Sequence, residues 1–312
     1  MTSALDRSLR AAILAAAGNA FVRRAVTRYG MRLGAGRFVA GESAAEFLPV
    51  ARDANARGFA VAATILGESV RDRDETLAVT SEYCDLLCAF AAEGSDANVA
   101  FKLTHVGLEI DPELAFENAA RVAATAGESH NTVRMDMEQS RYVDPTLAIY
   151  RRLRERYDNV GFVLQSYLYR SRDDLLAALP LEPNVRIVKG AYLEPPSVAY
   201  PKKADVDRNY IELMELALTH GGYTAIATHD PTIVEHAIAF ARRQPLPQRG
   251  RFEFQLLYGI ATPLARSLVD RGYRVRLSIP YGAYWFPYLM RRLAERPANL
   301  AFFLRNLFHV SR

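Results

Sequence analysis

The stretch "SIPYGAYWFPYLMRRLAE", residues 278–295, carries a residue combination that a solvated helix face seldom shows. Read as one helix at about 100° per residue, Tyr284, Tyr288, Arg291, Arg292 and Glu295 fall within roughly a third of the circumference. The remaining arc, Phe286, Leu289, Met290 and Leu293, is a core stripe. Two guanidinium forks beside tyrosines suit capture of an anion, a carboxylate above all, in bidentate geometry. Glu295 stands four residues from Arg291 and three from Arg292, so it can hold a guanidinium in place. The plainer alternative is a half-exposed helix with no ligand. Pro287 lies inside the stretch, where its ring and missing N–H kink or restart a helix, so the wheel is safest from Tyr288 onward.

A second set of polar residues recurs where apolar stretches end: Glu68, Lys102, Asp136, Gln165, Arg186, Lys189, Thr228, His229 and Tyr281. A charge beside a buried strand is unfavourable unless it is paired or meets a ligand. One such residue would be an ion pair; the same departure on six strands points to a shared polar pocket. In "RIVKGAYLEP" (186–195), Lys189 is followed by the small Gly190 and Ala191, which let a flat or phosphorylated ligand approach the main chain. "ATHD" (227–230) adds Thr228 and His229 as donors. Taken singly, each is ordinary turn chemistry.

The elements that must position these groups are eight short stretches rich in β-branched or aromatic residues. They are residues 59–66, 98–104, 132–138, 160–166, 185–191, 223–229, 252–258 and 273–280. Helical patterns alternate with them, among them "DETLAVTSEYCDLLCAFAAE", "LAIYRRLRERY" and "PTIVEHAIAFARR". Eight strand–helix alternations predict an α/β fold, a (β/α)8 TIM-type barrel; an open doubly wound sheet is the rival. Residues 1–56 are expected as an N-terminal helical segment packed on the barrel, and 57–312 as the barrel with its C-terminal helix. In such a barrel, catalytic groups belong at the C-terminal ends of the strands.

Composition narrows the function classes. With 312 residues, 50% hydrophobic and 24% charged, the chain suits a large-cored protein. Its net charge of +4 is mildly basic, favouring acidic membrane surfaces slightly, and no nucleic-acid motif accompanies it. Cys84 and Cys88 read as two buried small residues in a reducing compartment, and no metal site is expected. "GAGRFVAGES" begins like a dinucleotide fingerprint, but Val39 stands where the third Gly belongs and no strand precedes Gly34. No apolar run reaches the roughly 18 residues of a spanning helix. "RAAILAAAGNAF" imitates a signal peptide but is expected as an amphipathic scaffold helix, and residues 300–312 as a helix closing the barrel rather than a surface anchor.

"RFVAGES", "LQSYLYRS", "RIVKGAYLEP", "ATHD", "FEFQLLYG" and "IPYGAYWFPYLMRRLAE" occur in order between residues 37 and 298. Together they resemble the proline dehydrogenase (proline oxidase) family, in its monofunctional bacterial form related to the flavin barrel of bifunctional proline utilisation proteins. The resemblance implies a distorted, FAD-containing barrel with an eighth helix over the active site. It implies oxidation of L-proline to Δ1-pyrroline-5-carboxylate by hydride transfer from proline C5 to flavin N5, the first step of proline catabolism. A quinone would receive the electrons. The setting would be the cytoplasm with peripheral contact on the inner face of the membrane, and a pyrroline-5-carboxylate dehydrogenase would act downstream.

By the same resemblance, Arg291 and Arg292 surround the proline carboxylate, with Lys102 as a third cation. Tyr281 packs on the pyrrolidine ring, Tyr284 and Tyr288 wall the site, and Leu257 lies near the substrate. Asp136 is expected to orient Lys102 or a water, and Arg186 to stand beside the reactive edge of the flavin. Met137 and Gln165 would lie near the isoalloxazine; Lys189, Gly190, Ala191, Thr228 and His229 would face its pyrimidine or the ribityl-phosphate chain. Glu68 is expected to close the pocket by pairing with Arg291. A rival of another class is a Schiff-base aldolase or lyase using Lys102 or Lys189. A third, a basic binding protein without catalysis, leaves the buried charges unexplained.

Overall fold

Each apolar stretch forms a parallel strand hydrogen-bonded to the next, and the eight close into a barrel in the order β1 to β8. This is seen in a computed structural model that describes residues 34–244 and 250–295, with positions 19, 24, 27 and 30 ahead of them and residues 291, 294 and 295 by backbone alone. The strands are β1 (Ala60–Ile65), β2 (Ala97–Phe101), β3 (Val133–Met135), β4 (Val160–Gln165), β5 (Asn184–Val188), β6 (Tyr223–Ala227), β7 (Phe252–Leu257) and β8 (Val275–Tyr281). A helix precedes β1, α1 (Ala44–Ala56). One then follows each strand: α2 (Arg73–Glu93), α3 (Pro112–Glu128), α4 (Val143–Arg154), α5 (Ser171–Ala178), α6 (Lys203–His220), α7 (Pro231–Arg243), α8 (Thr262–Asp270) and α9 (Trp285–Glu295).

Helix starts follow side-chain chemistry. Asp72, Asp111 and Asp230 cap α2, α3 and α7, accepting from the N–H of Glu75, Glu113 and Thr232. Pro112 and Pro231 follow two of those caps, where a missing N–H removes no helical bond. The strands are shorter than the apolar stretches suggested. Lys102, Asp136, Lys189, Thr228 and His229 therefore fall just past strand ends, while Gln165 closes β4 and Arg186 lies inside β5.

The chain divides into two compact units, residues 52–64 with 68–278, and residues 1–51 with 65–67 and 279–312. In the larger, small residues on one strand let long side chains of its neighbours meet. Gly161 of β4 stands in register between Arg134 of β3 and Asn184 of β5, and Arg134 Nη2 donates to Asn184 Oδ1 at 2.5 Å. Ala225 of β6 likewise stands between Arg186 of β5 and Glu253 of β7.

Cys84 is buried as expected, but Cys88 is exposed, because it points off the outer face of α2. Among the described residues no helix is long and apolar enough to cross a membrane. The signal-like stretch from Arg10 to Phe21 and the tail 300–312 lie outside the described residues.

Candidate active site

Beyond β2, Lys102 Nζ pairs with Glu68 Oε2 at 3.3 Å. Beyond β3, Asp136 accepts from Arg186 Nη2. This corrects the expectation that Asp136 orients Lys102. The Asp136 N–H donates to Phe101 O at 2.7 Å, which continues the strand's alternation and turns the carboxylate to the barrel interior, where Arg186 reaches it. Glu68, from the loop after β1, takes the lysine instead. The Arg291 side chain, its expected partner, lies outside the described residues, as does that of Glu295.

Arg186 is held from a second direction. Its Nη1 donates to Gln255 Oε1 at 3.3 Å, and Gln255 Nε2 donates to Glu253 Oε1 at 2.6 Å. Glu253, 1% exposed, also accepts from Arg276 Nε at 2.9 Å, Arg274 Nε at 3.2 Å and the Tyr223 hydroxyl at 3.1 Å. Burial alone would raise its pKa, but the charges of Arg276 and Arg134 and the hydrogen bonds outweigh this and hold it at about 2. Buried Arg134 is pushed down to about 10, by desolvation first. None of Glu253, Gln255, Arg134 or Arg276 was singled out from sequence. Their signal was there: in "FEFQLL" and "VRLSIPY" polar residues alternate with apolar ones inside strands that should be apolar throughout.

A third group surrounds Glu138, which is 3% exposed. Its carboxylate accepts from Thr104 N at 3.2 Å and Thr104 Oγ1 at 2.7 Å, and its backbone O from Gln165 Nε2 at 2.8 Å. Burial is the largest influence on its pKa and raises it from 4.5 to about 7. The folded protein therefore keeps a proton that the unfolded chain has released in that interval. Its stabilising contribution is full below pH 4.5 and is lost as pH rises through about 7. Chemical denaturation at pH 5 and pH 8 should show the native protein losing on the order of 3 kcal/mol across that range from this group. Glu138→Gln should flatten the dependence; an unaltered slope would contradict the assignment.

At the ends of β5 and β6, Lys189 lies between Asp207 at 2.5 Å and Asp230 at 3.1 Å. Gly190 has φ +113°, and a Cβ there would collide with the ring of Tyr167, so only glycine fits the turn. Thr228 Oγ1 accepts from the Asp230 N–H at 3.1 Å. The Leu257 N–H donates to His229 Nε2 at 3.0 Å, which leaves the imidazole neutral with its proton on Nδ1. Met137 is buried. Gln165, Arg186, Lys189, Thr228 and His229 thus come from three consecutive strands, β4 to β6, or the residues just beyond them.

In the smaller unit, Tyr281 ends β8 fully buried, its ring centroid 4.9 Å from that of Phe47, and its backbone O accepts from the Leu66 N–H at 2.7 Å. Trp285 Nε1 donates to Glu42 Oε1 at 2.6 Å. Because α9 begins at Trp285, Pro287 falls in its first turn, where no kink is forced. Tyr284 precedes the helix and is 60% exposed, so it is not one of the helix-face residues. Phe286, Leu289, Met290 and Leu293 are buried, as the core stripe required. The Arg292 guanidinium lies over the Tyr288 ring, 5.2 Å from its centroid, a cation–π contact.

The proline dehydrogenase family model matches residues 47–305. Proline dehydrogenase 1 of Bacillus subtilis subsp. natto is 37% identical over 299 residues, covering 96% of this chain and 99% of that protein. The proline dehydrogenase of Deinococcus radiodurans is 39% identical over 308 residues, covering 97% and 99%. Among solved structures, proline utilization A (PutA) from Bdellovibrio bacteriovorus, inactivated by N-propargylglycine, is similar with a TM-score of 0.81 at 26% identity. That match covers 87% of this chain and 33% of the larger one.

Proposed function

The chain belongs to the proline dehydrogenase family of enzymes, and from that premise we propose that it oxidises L-proline to Δ1-pyrroline-5-carboxylate with FAD as its cofactor and a quinone as electron acceptor. The observation that carries the cofactor assignment is the donor set at the ends of β4 to β6. Gln165 and Arg186 lie there buried, Arg186 Nε has no hydrogen-bond partner among the described residues, and Gly190 opens the backbone beside Lys189. Cations, neutral donors and bare main chain in one arc fit a flat, polar, phosphorylated group. When bound, FAD would supply the hydride acceptor at N5, taking the hydride from proline C5 and passing the electron pair to the quinone.

In this reading Arg186, with Met137 and Gln165, stands at the isoalloxazine, where a fixed cation favours the reduced, anionic form. Asp136 holds that cation in place rather than touching the lysine. Lys189, Gly190, Ala191, Thr228 and the Nδ1–H of His229 serve the pyrimidine edge and the ribityl-phosphate chain. Lys102, Arg291 and Arg292 take the proline carboxylate, and Tyr281, Tyr288 and Leu257 shape the ring pocket. Glu295 steadies the arginines. Fixing the carboxylate sets C5 in a reactive orientation, and the surrounding cations help the amine lose its proton. Peripheral contact with the membrane on the cytoplasmic side follows from the quinone. The product would then serve a pyrroline-5-carboxylate dehydrogenase.

Glu68 pairs with Lys102, one of the cations this reading gives to the proline carboxylate. Glu68→Ala should weaken proline binding several-fold with the flavin retained; unchanged affinity would remove Glu68 from the substrate site. The lyase alternative finds less support, because each candidate lysine is already engaged in an ion pair, Lys102 with Glu68 and Lys189 with Asp207 and Asp230. The deciding experiment is the visible spectrum of purified protein before and after anaerobic L-proline. A flavin band bleached by proline is expected. A colourless protein that cannot be reconstituted with FAD, or covalent trapping of a lysine by borohydride and a carbonyl substrate, would overturn the reading.

A further inference from the structure

The charges buried in the barrel beneath Arg186 are more than packing. Glu253 collects four donors, from Arg276, Arg274, Tyr223 and Gln255. A carboxylate can only accept, so the Gln255 amide must present its nitrogen to Glu253 and its oxygen away from it. That oxygen receives Arg186 Nη1 at 3.3 Å, while Asp136 takes Nη2. Gln255 is 3% exposed and Arg186 8%, so no solvent competes strongly for these bonds. On β6, the strand between them, two alanines stand in register with these residues, Ala225 opposite Arg186 and Glu253, and Ala227 opposite Gln255. A larger side chain at either position would stand between β5 and β7.

We infer that Gln255 is a positioning residue for Arg186: locked by Glu253 on one side, it fixes the guanidinium that Asp136 holds on the other. The inference rests on the reading of Arg186 as the cation at the flavin's reactive edge. With its two Nη atoms anchored from β7 and from the residue just past β3, the guanidinium keeps one orientation, and a small rotation would misplace its charge relative to the reacting ring. Ala225 belongs to the device through its smallness alone.

The test is a double-mutant cycle with Gln255→Met, Arg186→Lys and both, reading the midpoint potential of the bound flavin together with kcat and KM for proline. Gln255→Met keeps the shape and removes both hydrogen bonds. It should retain flavin, shift the potential to more negative values and lower kcat about tenfold with KM little changed, the loss expected of one buried bond to a charged group. In the Arg186→Lys background the same change should cost less than about twofold, because the group it acts through has gone. Ala225→Val, which removes no hydrogen-bonding group, should move the potential in the same direction.

A native potential in both Gln255→Met and Ala225→Val, or additive losses in the cycle, would overturn the positioning role while leaving Arg186 in its place. A native potential and turnover in Arg186→Lys would instead overturn the assignment of Arg186, and this inference with it. Loss of flavin from both Gln255→Met and Ala225→Val would make the two residues determinants of cofactor retention and also overturn the positioning role.

Discussion

Replacing Arg292 with methionine is expected to lower kcat/KM for L-proline by roughly a hundred- to a thousandfold, the range for removing one member of a desolvated charge-assisted pair. The visible flavin spectrum should stay as in the native protein. Methionine keeps much of the apolar stem, so the buried stripe of Phe286, Leu289, Met290 and Leu293 on α9 should stay packed. What is lost is the guanidinium and its contact with the Tyr288 ring. Lysine at the same position should rescue only in part, since an ammonium restores the charge but not the planar fork. Steady-state kinetics of Arg292→Met and Arg292→Lys, with flavin content measured in parallel, check this. Loss of flavin in step with activity would assign Arg292 to the cofactor instead.

The second large effect is on stability. Glu253→Gln should destabilise the fold by about 3–5 kcal/mol, because removing one partner of a buried charge cluster leaves the others uncompensated. Arg276 and Arg274 both donate to this carboxylate, and Arg134 lies within reach of its charge. A glutamine carries no charge to offset the guanidinium groups, and its NH2 would face a donor at whichever oxygen it replaced, the Gln255 amide at Oε1 or the Arg274 guanidinium and Tyr223 hydroxyl at Oε2. Denaturant midpoints at neutral pH measure the loss. The sign with pH is also fixed: a carboxyl held at about 2 against an ordinary 4.5 contributes its full stabilisation above pH 4.5 and loses it as pH falls toward 2. The difference between Glu253→Gln and the native protein should therefore shrink in acid. A neutral-pH difference under about 1 kcal/mol would contradict the network as described.

How far these groups could be read from the chain depended on the distance over which they act. All eight strands were legible, because a strand covered on both faces is a short β-branched run whatever its neighbours. The polar residues marking strand ends were legible too, although Lys102 and Asp136 fall one position beyond β2 and β3. Partnership was not legible. Which acid meets which base follows from register and from small residues on intervening strands. Asp136 therefore went to Arg186 across the barrel, and Glu68 took Lys102.

Gln255 and Glu253 betrayed themselves only as polar positions at period two in β7, a pattern that gives a direction but no destination. Local chemistry misled at two points of detail. Pro287 suggested a break inside a helix that in fact begins at Trp285, and an apolar neighbourhood suggested burial for Cys88, which is exposed.

The most direct measurement compares L-proline with pyrrolidine, the same ring without its carboxylate, as anaerobic reductants of the bound flavin in the native protein and in Arg292→Met. If the carboxylate is what the arginine grips, proline should bleach the native flavin at concentrations at least about a hundredfold below those of pyrrolidine, and Arg292→Met should close most of that gap. Equal potency of the two compounds in the native protein, or a gap untouched by Arg292→Met, would contradict the account.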